Sequence, residues 1–205
     1  MGFAYLLNTE VSLATFRRDY SVPDDVEVMY CHESKIALQG GVGTAFFPLM
    51  SILEGGVRFP TDLLLLNAFR YYGLCPDQLP PNFYQVVSCV SRLNQTFGLQ
   101  LDHHDINHMY SLCGKKKSNY YLKVRDMRVW LISCLSDFNR NSVGEFVWVR
   151  GNWFAGGIPP PLSRREVGSF QSLICFLPSV HRYFIYPNFD SLSFCYKRFG
   201  VYSRH

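Results

Sequence analysis

The sequence predicts an α+β domain that is mainly α, with a helical N-terminal two-thirds packed on a small antiparallel sheet and an irregular C-terminal tail. Apolar residues recur at helical spacing between capping residues and glycines over residues 9–113. β-Branched and aromatic runs separated by turn residues follow over residues 120–149. No usable period continues beyond residue 154. We therefore predict a domain at 9–154, a Pro/Gly linker at 155–166 and an aromatic-rich tail at 167–205.

The first half of the domain is predicted to alternate short helices with one strand. Thr9 caps a helix that runs to Tyr20, because a proline-containing turn follows it. Alternating residues around Val26 indicate a short strand, and residues 33–43 have the composition of a loop. Thr44 is expected to cap a helix that ends at Gly55 and Gly56.

Three further helices are predicted from the same kind of start and stop signals. The Thr61 hydroxyl precedes an apolar segment, residues 63–72, that Gly73 closes. Asn82 is expected to cap a helix ending at Gly98, in which apolar residues repeat at spacings of four, three and four. Asp102 is expected to cap a last helix that stops at Gly114.

The predicted sheet follows a lysine-rich turn. Residues 120–124, 129–135 and 145–149 are rich in β-branched and aromatic side chains and are separated by polar turn residues. Residues 167–205 hold six Phe, four Tyr and six Ser. Two interpretations of this tail stand: a gene-model artefact, such as translated intron sequence, or a C-terminal element that docks on a partner.

Composition limits the function classes. Hydrophobic residues make up 48% of the 205 positions and charged residues 18%, which argues against disorder and against a solvated coiled coil. The net charge of +4 divides into +1 for residues 1–166 and +3 for residues 167–205. The main segment therefore lacks the strong basic excess typical of many nucleic-acid-binding domains, although a local basic patch is compatible with it.

Cysteine usage and the termini predict an intracellular protein, in the nucleus or the cytoplasm. The seven cysteines include no C-x-x-C pair, so we expect free thiols in a reducing compartment. The N-terminus has no secretory signal, and Leu6 stands where myristoylation requires Ser or Thr. No apolar run has the roughly 18 residues of a membrane helix. We expect neither secretion nor a membrane partner.

One polar cluster could bind a metal. His104 and His108 lie four residues apart and would share one helical face, with Asp102, Asp105 and Cys113 nearby. The alternative is a polar outer helix face that begins with a capping Asp. No Glu follows the first His, no small-molecule or cofactor motif is present, and no catalytic nucleophile is recognisable in the sequence.

A second cluster could bind nucleic acid. Lys115, Lys116 and Lys117 form a basic turn, and Tyr120 and Tyr121 follow it closely enough to stack on a base. The alternative is a turn whose lysines are simply solvated. Either DNA or RNA would be a compatible partner.

Two segments of the domain resemble a plant retrotransposon-derived family. The sequence EGGVRFP at 54–60 and the sequence YGLCPDQLPPN at 72–82 are similar to those of gypsy-type transposon domains, also described as gypsy-type transposases. The similarity spans roughly residues 10–154, and Phe83-Tyr84 departs from it. The most specific part includes the following residues: Gly73, Pro76, Gln78, Leu79, Pro81 and Asn82.

The resemblance implies origin in a plant long-terminal-repeat element. The resemblance identifies no catalytic residues in this sequence, because the matched motif consists of helix stops, rigid turns and a cap. We therefore expect a noncatalytic, gag-like or accessory module that self-associates or binds element RNA or DNA. A metal-dependent transposase or nuclease is the alternative, and a degenerate element fragment without a present function is a third hypothesis.

Overall fold

The computed structural model describes residues 3–36, 43–115, 119–126, 131–132, 135 and 144–155, and confirms the α+β class. The helices are α1 (Glu10–Asp19), α2 (Leu49–Leu53), α3 (Leu63–Tyr72), α4 (Pro81–Phe97) and α5 (His103–Met109). The strands are β1 (Glu27–His32), β2 (Thr44–Pro48), β3 (Tyr110–Lys115), β4 (Asn119–Val124) and β5 (Glu145–Arg150). Short 3₁₀ helices occupy Phe3–Leu6, Glu33–Lys35 and Pro76–Gln78.

The strands form two antiparallel units. β1, β5 and β2 make a three-stranded sheet in that order, so the last of the described strands lies in the middle. Phe47 of β2 lies opposite Val147 of β5, and Tyr30 of β1 lies opposite the same residue on the other side. β3 and β4 form a separate hairpin in which Leu112 faces Leu122.

Phe47 lies at the centre of an aromatic core between the sheet and the helices. Its ring lies 5.4 Å from that of Trp153 and 5.6 Å from that of Phe59, both in edge-to-face geometry. The rings of Phe69 on α3 and Tyr84 on α4 lie 6.4 and 6.2 Å away. Each fully buried side chain of this size contributes roughly 1.5–3 kcal/mol through the hydrophobic effect.

The other face of the sheet is apolar as well. Cys31, Phe46, Phe146 and Trp148 form a second buried cluster, with Ile36 packed against it. β2 and β5 therefore bury residues on both faces, which explains why their sequences run as nearly continuous apolar segments without polar alternation.

Several predicted helix ends are confirmed. Thr9 caps α1 and forms a reciprocal capping box with Ser12. Gly73 and Gly98 close α3 and α4 in the left-handed conformation. The cap of α3 is Asp62, whose carboxylate accepts from the Leu65 amide, while the predicted Thr61 hydroxyl donates to the Trp153 carbonyl.

The predicted helix over residues 44–54 is wrong in its first half. Thr44–Pro48 is a strand paired with β5, and only Leu49–Leu53 is helical. All five residues of β2 are buried, since the strand lies between the core and the second apolar cluster. The pairing with β5 therefore outweighs the local capping signal at Thr44.

The predicted cap at Asn82 is also wrong. α4 begins at Pro81, with Pro80 as its cap, so Asn82 lies inside the first turn. Proline suits this position because the first helical amide has no partner within the helix. The Asn82 side chain instead donates from Nδ2 to the Leu122 carbonyl at 3.1 Å, which joins α4 to β4.

The last predicted helix is shorter than expected. Asp102 caps α5 as predicted, but the helix ends at Met109, and Tyr110 begins β3 rather than a further turn. The strands predicted at 120–124 and 145–149 are confirmed as β4 and β5. Most of the strand predicted at 129–135, the linker beyond Ala155 and the tail at 167–205 lie outside the described residues.

Candidate functional site

The β3–β4 hairpin has two faces of different character. Strand alternation and register put positions 111, 113 and 115 of β3 on one face with positions 119, 121 and 123 of β4. We call this the hairpin outer face. Leu122 on the opposite face is buried, and Tyr120 packs against the main core beside Gly114.

Of the two tyrosines that follow the basic turn, Tyr121 therefore lies on the outer face and Tyr120 on the opposite face. Tyr121 is half-buried and has the exposed Lys123 two positions along the same strand. Lys115 ends β3 opposite Asn119. Lys116 and Lys117 lie outside the described residues.

Charge is concentrated on this hairpin. Residues 115–125 contain five basic and no acidic residues, although residues 1–166 as a whole are nearly neutral. The basic residues are Lys115, Lys116, Lys117, Lys123 and Arg125. A run of like charge on one hairpin attracts polyanions over roughly one Debye length, about 8–10 Å at physiological salt.

Arg125 connects the hairpin to α5. Its Nε donates to the Asn107 carbonyl at 2.9 Å and to the Tyr110 carbonyl at 3.3 Å, and its amide donates to the Met109 carbonyl. These bonds satisfy carbonyls at the end of α5, as basic side chains near helix C-termini commonly do. The residue is nevertheless exposed and contributes its charge to the surface.

The predicted histidine pair is exposed on α5. The His104 ring contacts the rings of His103 and Tyr71, with centroids 4.3 and 4.9 Å away. Asp102 Oδ1 accepts from the His104 amide, and Asp105 Oδ2 accepts from the Asp102 amide, so both carboxylates serve the capping box. Within the described ranges, no three His, Cys, Asp or Glu side chains are grouped closely enough to hold a metal ion.

His103 is the electrostatically perturbed member of the cluster. Burial, and then the neighbouring His104, lower its pKa from the ordinary value. Its Nδ1 is buried without a hydrogen-bond partner. The His103 ring lies 4.7 Å from that of Tyr71, and the Tyr71 hydroxyl accepts from Asn107 Nδ2 at 3.3 Å.

A cleft of about 260 Å³ separates the end of α2 from α4. Gln85 Nε2 donates to the Glu54 carbonyl and Ser88 Oγ to the Gly55 carbonyl, which closes the base of the cleft. Its lining residues are Glu54, Gly55, Gly56, Gln85, Ser88, Cys89, Arg92, Leu93 and Ile132. Sequence reasoning missed this cleft because its two walls are about 30 residues apart in the chain.

The residues of the resemblance motif have structural positions. Gly73 ends α3, Pro76 begins a 3₁₀ turn, and Gln78 accepts from the Cys75 amide at 2.9 Å. Leu79 is buried, and Pro81 and Asn82 form the first turn of α4. The motif therefore fixes the connection between α3 and α4.

Among the described residues, no helix combines the length and hydrophobicity that a membrane span requires. No family model matches the chain, and no curated protein or solved structure is similar enough to it to establish a relationship. The side chains described above are therefore the basis for assigning a function.

Proposed function

We propose that this chain is a noncatalytic, retrotransposon-derived module, gag-like or accessory, that binds single-stranded nucleic acid through the hairpin outer face. The observation that carries the proposal is the concentration of five basic residues at positions 115–125 around Tyr121, with no acidic residue among them. The origin of the module rests on the resemblance of residues 54–60 and 72–82 to gypsy-type transposon domains.

The chemistry of the hairpin suits a flexible polyanion. Lysine and arginine side chains neutralise phosphates and release their condensed counterions, which supplies most of the affinity in non-specific binding. A tyrosine between them offers a ring on which any base can stack. Tyr121 and Lys123 alternate along β4 with core residues, so the strand holds both on the same side.

Other polar groups are engaged in maintaining the fold. The two carboxylates nearest His104 accept backbone amides in the capping box of α5. The motif residues between α3 and α4 form turns and caps. These engagements favour a binding role over the alternative of a metal-dependent nuclease.

The test is the salt dependence of binding to a fluorescent single-stranded RNA of about 20 nucleotides. For single strands the affinity falls with salt at a slope of about 0.7 per neutralised phosphate on a log–log plot. We expect a Lys123→Ala variant to bind less tightly. The slope of its salt dependence should be smaller by about 0.7, the value for one phosphate contact. Arg18→Ala, which removes an exposed charge from α1, is the matched control and should leave the slope unchanged.

Two results would contradict the proposal. Binding that does not respond to salt would exclude phosphate neutralisation as the source of affinity. Equal effects of Lys123→Ala and Arg18→Ala would mean that general charge, not the hairpin, attracts RNA. Light scattering of the same mixtures would measure self-association, which a gag-like module should undergo on RNA.

A further inference from the structure

We infer that Tyr71, His103 and His104 form a base-stacking surface that extends the proposed nucleic-acid site from the hairpin onto α3 and α5. The inference rests on the proposed function and assigns a second part of the site. It adds further rings for unpaired bases to the phosphate contacts and the Tyr121 ring of the hairpin.

The three rings contact one another in tilted and edge-to-face arrangements. The centroid separations are 4.7 Å for Tyr71 and His103, 4.9 Å for Tyr71 and His104, and 4.3 Å for the two histidines. His104 is exposed, and Tyr71 and His103 are half-buried. Part of the cluster is therefore open to a planar ligand, while its inner side is held by the protein.

The cluster is fixed in position before any ligand binds. Asn107 donates from Nδ2 to the Tyr71 hydroxyl, and α5 is capped by Asp102 immediately before the histidines. A preorganised ring loses little conformational entropy when a base stacks on it. This differs from an isolated exposed tyrosine, which would have to be ordered first.

Asn107 also joins the ring cluster to the basic hairpin. Its side chain binds Tyr71, and its carbonyl accepts from Arg125 Nε at 2.9 Å. Arg125 follows directly after the end of β4, two residues beyond Lys123. A single strand whose phosphates contact Lys123 and Arg125 can therefore present its next bases to Tyr71 and His104.

The carboxylates beside the cluster limit where phosphates can run. Asp102 is exposed and Asp105 half-buried, and both lie next to the histidines in sequence. Like charges disfavour a phosphate on that side. We therefore expect the phosphates of a bound strand to lie nearer Arg125 than the histidines.

The experiment compares two strands of equal length, an oligoadenylate RNA and an abasic phosphodiester, in binding to the full chain. We expect His104→Ala to weaken RNA binding about tenfold, within the range for loss of one stacked base, with an unchanged salt slope. The abasic strand should bind the wild type and His104→Ala equally. Lys123→Ala should weaken binding to both strands and lower the slope.

A pair of Tyr71 variants tests the requirement for a ring. Tyr71→Phe keeps the ring and loses only the bond from Asn107, so RNA binding should be retained. Tyr71→Leu removes the ring and should weaken RNA binding as His104→Ala does. Since His104 is exposed, its variant tests the inference even if Tyr71→Leu fails to fold.

The outcomes separate the two proposals. If the wild type binds RNA and the abasic strand equally, with a normal salt slope, stacking on this surface and on Tyr121 is refuted, and only phosphate binding by the hairpin stands. If His104→Ala and Tyr71→Leu bind RNA as the wild type does, the stacking surface is likewise refuted. If the wild type binds neither strand, both proposals are refuted.

Discussion

The hydroxyl of Tyr84 donates a 2.8 Å hydrogen bond to the main-chain carbonyl of Pro76, and both residues are buried. The bond ties the first turns of α4 to the 3₁₀ turn that follows α3. Burial raises the pKa of Tyr84 well above its usual value, and the electrostatic effects of Asp77 and Cys75 act in the same direction. Tyr84 is thus held as a neutral donor.

Tyr84→Phe should lower the free energy of unfolding by about 1–2 kcal/mol at pH 7, because the Pro76 carbonyl stays buried without its donor. Because the folded-state pKa of Tyr84 is raised, its protonated phenol contributes fully to the free energy of unfolding below pH 10. This contribution falls as the pH rises further. The variant should therefore lose less stability above pH 10 than the wild type. Urea titrations at pH 8 and pH 11 measure this. The exposed Tyr5→Phe is the control, and equal alkaline losses in wild type and Tyr84→Phe would contradict the prediction.

Asn82→Asp should destabilise the protein by about 3 kcal/mol or more at pH 7. Asn82 is 4% exposed, its Nδ2 donates to the Leu122 carbonyl, and its Oδ1 has no partner. A carboxylate there would lose the donor and bury an unpaired charge. Stability should partly recover at pH 5, where a buried carboxyl is protonated.

Asn67→Asp is the matched control for that substitution. Asn67 Oδ1 accepts from Arg70, and a carboxylate can accept in the same way. Chemical denaturation of the two variants at pH 7 and pH 5 gives the comparison. Similar stability of both at pH 7 would mean that Asn82 does not join α4 to β4 as described.

Gly55→Ala should cost about 3 kcal/mol or more, whereas Gly98→Ala should cost only about 1–2 kcal/mol. A Cβ at Gly55 would overlap the Ser51 carbonyl oxygen and lie 2.7 Å from Tyr84 Cβ. Gly98 has open space around it and requires only its left-handed φ of +64°. Thermal unfolding of the two variants measures the difference. If Gly98→Ala is destabilised as much as Gly55→Ala or more, the close approach of Gly55 to Ser51 and Tyr84 is refuted.

His103 should make the domain less stable in mild acid. Its folded-state pKa is lowered, so the unfolded chain binds the proton more readily. Neutral His103 contributes fully to the free energy of unfolding above its unfolded-state pKa of about 6.5. This contribution falls as the pH drops from that value toward the lower folded-state pKa. His103→Gln should therefore flatten the stability profile between pH 7 and pH 5. The exposed His108→Gln should not, and an unchanged profile for His103→Gln would contradict the expectation.

Local signals predicted most of the helices, and strand pairing explains the segments that were predicted as helix but form strands. The caps at Thr9 and Asp102 and the stops at Gly73 and Gly98 depend on neighbouring residues, so the sequence contains them. The strand at Thr44–Pro48 depends on β5, about 100 residues later, and has no local signature.

The candidate site was predicted only in outline. The basic turn was visible in the sequence as a run of lysines. Which of Tyr120 and Tyr121 lies on the outer face depends on the strand register, because a shift of one residue moves every side chain to the other face. The ring contact of Tyr71 with His104 joins residues 33 positions apart, and no sequence spacing encodes it. Such contacts require the packing of α3 against α5.

The central position of β5 also sets an order of events during synthesis. β1 and β2 leave the ribosome long before Glu145–Arg150, yet β5 is the strand that lies between them. At translation rates of about 5–20 residues per second, both strands wait several seconds with unpaired backbone groups and apolar faces. The edges of β1 and β2 therefore stay open to pairing with other chains until β5 has been synthesised.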